Sequence, residues 1–146
     1  LSFLITMGQK VNPNGFRLGI THTWPSIWFA KGKKYRDLFL QDQLIKRYIM
    51  GKLKDAGISE IGIERSKRVS VAIHSSKPGV IIGKQGAAID DLKKDLERTF
   101  GGNFEVTIQE LRQPDADPTI IAETIQGQIE RRMPYRRAAK SWARHA

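Results

Sequence analysis

The 146-residue chain contains no cysteine. Disulfides, zinc knuckles and thiol chemistry are excluded together, which fits an intracellular protein. Acid is scarce at the start: Asp37 is the sole carboxylate in the first 40 residues. No apolar run approaches the ~18 residues of a membrane span. Residues 1–6 lack the basic region and cleavage site of a signal peptide, and Met7 is an alternative natural start. His22, His74 and His145 are far apart with no acidic cluster beside them, so no metal site is expected. Nucleophile–base pairs and magnesium-binding carboxylate motifs are also missing, so neither an enzyme nor a cofactor is expected.

What is present is positive charge over a real core. There are 25 Lys and Arg against 15 Asp and Glu, a formal charge of +10, and 40% apolar residues. This balance suits a folded domain with a polyanionic partner.

The organising stretch is Lys77-Pro78-Gly79-Val80-Ile81-Ile82-Gly83-Lys84-Gln85-Gly86, followed at once by a periodic helix. Two glycines three apart permit a sharp turn and close backbone approach. The following helix aims unsatisfied N–H groups and its positive dipole end into that turn, where a phosphate fits. A P-loop reading fails, because the spacing is one residue short and Gln85 stands where a hydroxyl must reach magnesium. With 13 glycines the bare Gly-x-x-Gly is weak alone, and a simple helix–helix turn is its bland alternative.

The surrounding order strengthens it. Helical spacing predicts a helix over 36–56 with Gly57 at its end, and Gly51 inside it is a candidate close-packing point. Alternation predicts strands over 60–64 and 69–74, joined as an antiparallel hairpin. Ile89, Leu92, Leu96 and Phe100 predict a helix over 87–100, and its like-charge pairs Asp91–Asp95 and Lys94–Arg98 were not arranged for helix stability alone. Phe104, Val106 and Ile108 predict a third strand through about Leu111. Helix, strand, strand, short helix, Gly-x-x-Gly, helix, strand is the order of a KH domain, whose corner clamps about four nucleotides.

On either side lie basic segments. Residues 8–34 show no helical or strand period, and 1–34 read as an extended basic arm. Its cations interleave with Phe16, Trp24, Trp28 and Phe29, a pattern suited to phosphates and to stacking on bases or on a neighbouring protein; wrapping the domain itself is the alternative. After a linker over 114–118, Asp117 and Pro118 open a C-terminal helix spanning 117–146. Its stripe of Ile121, Ile125, Ile129 and Met133 is expected to dock on the domain, with a kink or break at Pro134. From Arg131 to Arg144 there are six cations and no acid.

Met7-Gly8-Gln9-Lys10-Val11-Asn12-Pro13-Asn14-Gly15-Phe16-Arg17-Leu18-Gly19-Ile20, the segment 77–86, and Ile129-Glu130-Arg131-Arg132 with Tyr135-Arg136-Arg137-Ala138 carry a resemblance to a known family. The chain resembles the N-terminal KH half of the bacterial-type small-subunit ribosomal protein S-three (uS-three) family. The resemblance implies an α+β fold: a type II KH domain over 35–113, α-β-β-α-α-β, with helices on one face of a three-stranded mixed sheet. It implies residence in the small-subunit head and contact with ribosomal RNA through the corner residues Gly83, Lys84, Gln85 and Gly86. Further RNA contacts are implied for the arm residues Gln9, Lys10, Asn12 and Arg17. Arg131, Arg132, Arg136, Arg137 and Lys140 belong to the basic helix, which in that family helps line the opening through which messenger RNA enters. Neighbours resembling proteins S-ten and S-fourteen are implied, with neither a membrane nor a homo-oligomer, in the cytoplasm or an organellar matrix. The family's usual second α/β domain is expected to be absent; a fragment, a split gene product and a reduced organellar form are the alternatives. The competing function is a free KH adaptor for single-stranded RNA in ribosome biogenesis or regulation.

Overall fold

The computed structural model describes residues 10–83 and 86–143. Helix α1 spans Pro13–Arg17, strand β1 Ser26–Ile27, α2 Lys33–Lys52, β2 Ile58–Arg65, β3 Val69–Ser75, α3 Pro78–Ile82, α4 Ala87–Phe100, β4 Phe104–Glu110, α5 Pro118–Glu130 and α6 Tyr135–Trp142. Short 3-10 turns lie at Lys54–Ala56 and Pro114–Ala116.

Strands β2 and β3 form the expected antiparallel hairpin, with Ile61 opposite Ile73 and Ile63 opposite Val71. Strand β4 joins β3 in parallel, Val71 against Val106, after the chain has crossed back through α3 and α4. Isoleucine and valine alternate onto one face, where burial rewards β-branched side chains. That face meets Ile45 and Ile49 of α2, Ile81 of α3, and Leu92 and Leu96 of α4, all buried with Phe104. The α+β architecture with helices on one side is therefore as expected.

Four details depart from the sequence reading. First, the sheet has four strands in the order β1-β2-β3-β4, not three. The arm supplies the extra one: Ser26–Ile27 runs parallel to β2 opposite Ile63 and Glu64, and the Ile63 amide donates to the Pro25 carbonyl at 3.0 Å. Two residues carry no visible period. The arm also holds α1, capped by Asn12, whose Oδ1 accepts from the amides of Asn14 (2.9 Å) and Gly15 (3.3 Å).

Second, α2 starts three residues earlier than expected and ends at Lys52; Leu53 leaves helical geometry, and Gly57 adopts the left-handed conformation at φ 58° that ends the turn. Gly51 is no close-packing point, since a Cβ there would meet open space. Third, the stripe on α5 is rotated. Ile120 is its buried residue, Ile121 and Ile125 are half-buried, and Ile129 and Met133 are exposed. Helix α5 packs against β2, and the Ser59 hydroxyl donates to the Asp117 carboxylate.

Fourth, the expected break in the C-terminal helix comes before Pro134 rather than at it, dividing its described part into α5 and α6. Arg132 takes a left-handed conformation (φ 64°), its amide donates to Ile129 (2.8 Å), and the Met133 amide reaches Gln128 (3.0 Å). That is a Schellman stop. Pro134 then caps α6, which folds back on α5 and buries Ala138 completely.

Further polar ties join the parts. Buried Asp42 on α2 accepts from the Trp28 indole (2.6 Å) and from Arg65 Nε (2.8 Å), so arm, helix and sheet converge on one carboxylate. Lys52 of α2 donates to Asp95 of α4. This bond is the main cause holding the Lys52 ammonium above and the Asp95 carboxyl below their ordinary pKa values. It also answers why Asp91 and Asp95 sit four apart: Asp95 serves a tertiary contact.

Candidate nucleic-acid interface

The corner is built from β3 outward. Ser75 is fully buried; its hydroxyl donates to the Ala56 carbonyl (2.6 Å) and accepts from the Lys77 amide (3.0 Å), fixing where the chain leaves the sheet. Pro78 starts α3, and the Gly83 amide closes it on Gly79 at 3.0 Å. Gly83 then lies at φ 70°, ψ −168°, a region open essentially to glycine alone. A Cβ there would also stand 2.6 Å from the Ala88 Cβ. Gly86, at φ 82°, is the N-cap of α4 with no side-chain hydrogen bond to its first turn. The first turn of α4 therefore has no capping side chain for its backbone N–H groups, and Val80 and Ile82 of α3 are exposed. Lys84 and Gln85 lie outside the described residues.

The arm residues divide. Lys10 is exposed. Asn12 uses its side-chain oxygen as the α1 cap. The Arg17 guanidinium turns back to the Pro13 carbonyl at 3.0 Å. Gln9 lies outside the described residues.

The C-terminal cations form two groups. On α6 the 100° step per residue places Arg136, Arg137 and Lys140 opposite the side holding Ala138 and Trp142. All three are exposed. Arg136 lies over the Tyr135 ring at 5.7 Å and donates from Nε to its hydroxyl at 3.2 Å, which orients it. Arg131 and Arg132 are instead in the turn. Arg131 lines a groove between α5 and the segments just before β2 and just after β3, which also holds Lys54 and Lys77, together with the acids Asp55 and Glu123. Lys54 falls within the helix read over 36–56 and Lys77 at the head of the corner segment; only the packing of α5 brings the two together with Arg131.

The other face of the sheet is different. Glu60, Glu64 and Glu105 alternate outward with Ser70, Ala72, His74 and Thr107, and no Lys or Arg occupies that parity of β2, β3 or β4. Three carboxylates and no cation make that face unfavourable for phosphate.

The KH domain family matches residues 44–116, from mid-α2 to the turn after β4. The chain belongs to the KH domain family. As a KH protein it has curated relatives that carry the resemblance read from the sequence. It is 47% identical over 136 residues to the small ribosomal subunit protein uS3 of Caldicellulosiruptor bescii, covering 92% of this chain and 61% of that protein. It is 49% identical over 135 residues to the uS3 proteins of Rhodospirillum centenum (92% and 60%) and Caulobacter vibrioides (92% and 54%). The KH chain thus spans about three fifths or less of these relatives' length. Among the described residues no helix is long and apolar enough to cross a membrane.

Proposed function

We propose that this KH protein is a non-catalytic component of the small ribosomal subunit that binds ribosomal RNA in the subunit head. Its α6 cations help line the opening through which messenger RNA enters. Supporting the ribosomal part are relatives named as small ribosomal subunit proteins. The observation that carries the RNA part is the cationic face of α6, held outward by a helix whose opposite side is buried on α5. Arg132 adds weight: an L-residue in the left-handed region costs about 1–2 kcal/mol, yet a guanidinium stands at the Schellman position where glycine is strain-free. In this reading Gly83, Lys84, Gln85 and Gly86 contribute backbone contacts to phosphate, while Lys10, Arg17 and Arg131 extend the track. Neighbours resembling S-ten and S-fourteen, and a ribosomal location in cytoplasm or organelle, belong to the same proposal.

The test is salt dependence. Six phosphate contacts give a log–log slope of affinity against salt of roughly −4 to −5 for a ribosomal RNA fragment. Replacing Arg136, Arg137 and Lys140 together by Ala lowers that slope by about 2–3 while the fold is retained. Affinity that barely changes between low and moderate salt, or a triple variant with the parental slope, refutes it. Co-sedimentation with the small subunit at moderate salt separates a ribosomal component from a free adaptor.

A further inference from the structure

Beside the corner and α6, a second surface has the makings of an RNA site. The segment 24–29 and the first turns of α2 enclose an open cleft, lined by Trp24, Phe29, Tyr35 and Phe39 with Gln43 and Lys46. Its rings are not filler for the core. Phe29 is 81% exposed, Trp24 63% and Tyr35 51%. Tyr35 and Phe39 are nevertheless held in place, with Trp28 behind them. The Trp28 indole is tied to Asp42, its ring lies 5.3 Å from Tyr35, and Tyr35 stacks on Phe39 at 13° and 6.2 Å.

The charge around the cleft selects the occupant. Lys31, Lys33 and Lys34 lie on the connection and first turn, exposed, and Lys46 on its wall. The nearby acids are spent: Asp37 pairs with Arg36, and buried Asp42 pairs with Arg65. Pre-set aromatic faces within a cationic rim suit a flat π-system carrying a phosphodiester, and every nucleobase has such a face. The Gln43 amide and the Lys46 ammonium offer hydrogen bonds to a base edge.

We propose that this cleft stacks an unpaired nucleobase of the bound RNA. The inference rests on the RNA-binding reading above and adds base contact to what is there a phosphate contact.

The experiment uses the full chain, an adenine decamer and an abasic decamer of equal length and charge, with tryptophan fluorescence and a titration as readouts. The expected result is that the adenine strand binds more tightly and quenches fluorescence. Phe29→Ala with Phe39→Ala then loses roughly 5- to 150-fold in affinity for it, with an unchanged salt slope. Phe29 is largely exposed and Phe39 45% exposed, and thermal unfolding of the variant checks that it is folded; the comparison of the two parental titrations needs no variant. Equal affinity for adenine and abasic strands, with the slope intact, overturns base stacking while leaving the phosphate reading standing, and points to a protein docking on the aromatics. Binding of neither strand overturns both.

Discussion

Removing the Asp42 carboxylate tests how the arm is fixed to the domain. Asp42 is 2% exposed, and the Arg65 side chain it pairs with is 12% exposed. Asp42→Ala leaves the guanidinium largely buried without its counter-ion, and deletes the acceptor of the Trp28 indole. Breaking a buried pair from one side costs about 3–5 kcal/mol. Arg65 ends its strand and can swing its tip partly to water, so the lower half of that range is expected, about 3–4 kcal/mol. For a domain with a total of roughly 5–15 kcal/mol, that loss is easily resolved. Asp42→Asn separates the two ties, since its amide oxygen still accepts from Trp28 while the ion pair is lost. Urea unfolding followed by circular dichroism gives the global loss, and tryptophan fluorescence reports release of Trp28. Asp42→Ala is expected to lower the midpoint and red-shift the emission before global unfolding; Asp42→Asn lowers the midpoint with the smaller shift. A loss under about 1 kcal/mol for Asp42→Ala, with unshifted emission, would refute the latch.

Two further outcomes follow from backbone and caps. Gly83→Ala brings a Cβ to 2.6 Å from Ala88 and forces an L-residue into a glycine-only region, so it is expected to destabilise by about 2–5 kcal/mol from strain and overlap together. Gly79→Ala, in open space within α3, is expected to be neutral or stabilising by up to ~1 kcal/mol; equal urea midpoints for the two variants would contradict the corner geometry. For Asp117, burial pushes its carboxyl up, but the Ser59 hydroxyl and the amides of Ile120 and Thr119 together hold it below its ordinary value. Its contribution is therefore complete above the unfolded carboxylate pKa of about 3.9 and is lost as pH falls through the lower folded value. Asp117→Ala is expected to cost about 1 kcal/mol at neutral pH and to flatten the stability profile below about pH 4; an unaltered acid limb in thermal melts would show that the cap contributes nothing.

Sequence alone carried the repeating parts. Alternation placed Ile61, Ile63, Val71 and Ile73 on one face, helical spacing placed Leu92 and Leu96, and Asp117-Pro118 marked the start of α5, because each signal is local and recurs every two or three to four residues. The corner was legible for the same reason: Gly83 and Gly86 announce backbone that other residues avoid. What tertiary structure decided has no local period. Strand β1 is two residues whose extended form is set by the free edge of β2. Asp42 looks like any polar helix residue until Trp28 and Arg65 arrive from 14 and 23 positions away. The reversal at Arg132 lacks the glycine that usually marks one, so it rests on α6 packing Ala138 back against α5. Lys54, Lys77 and Arg131 likewise share a groove only because α5 closes over the end of the sheet. A local pattern fixes which way a side chain faces on its own element; which elements meet, and so which charges stand together, is settled by how apolar faces find cover.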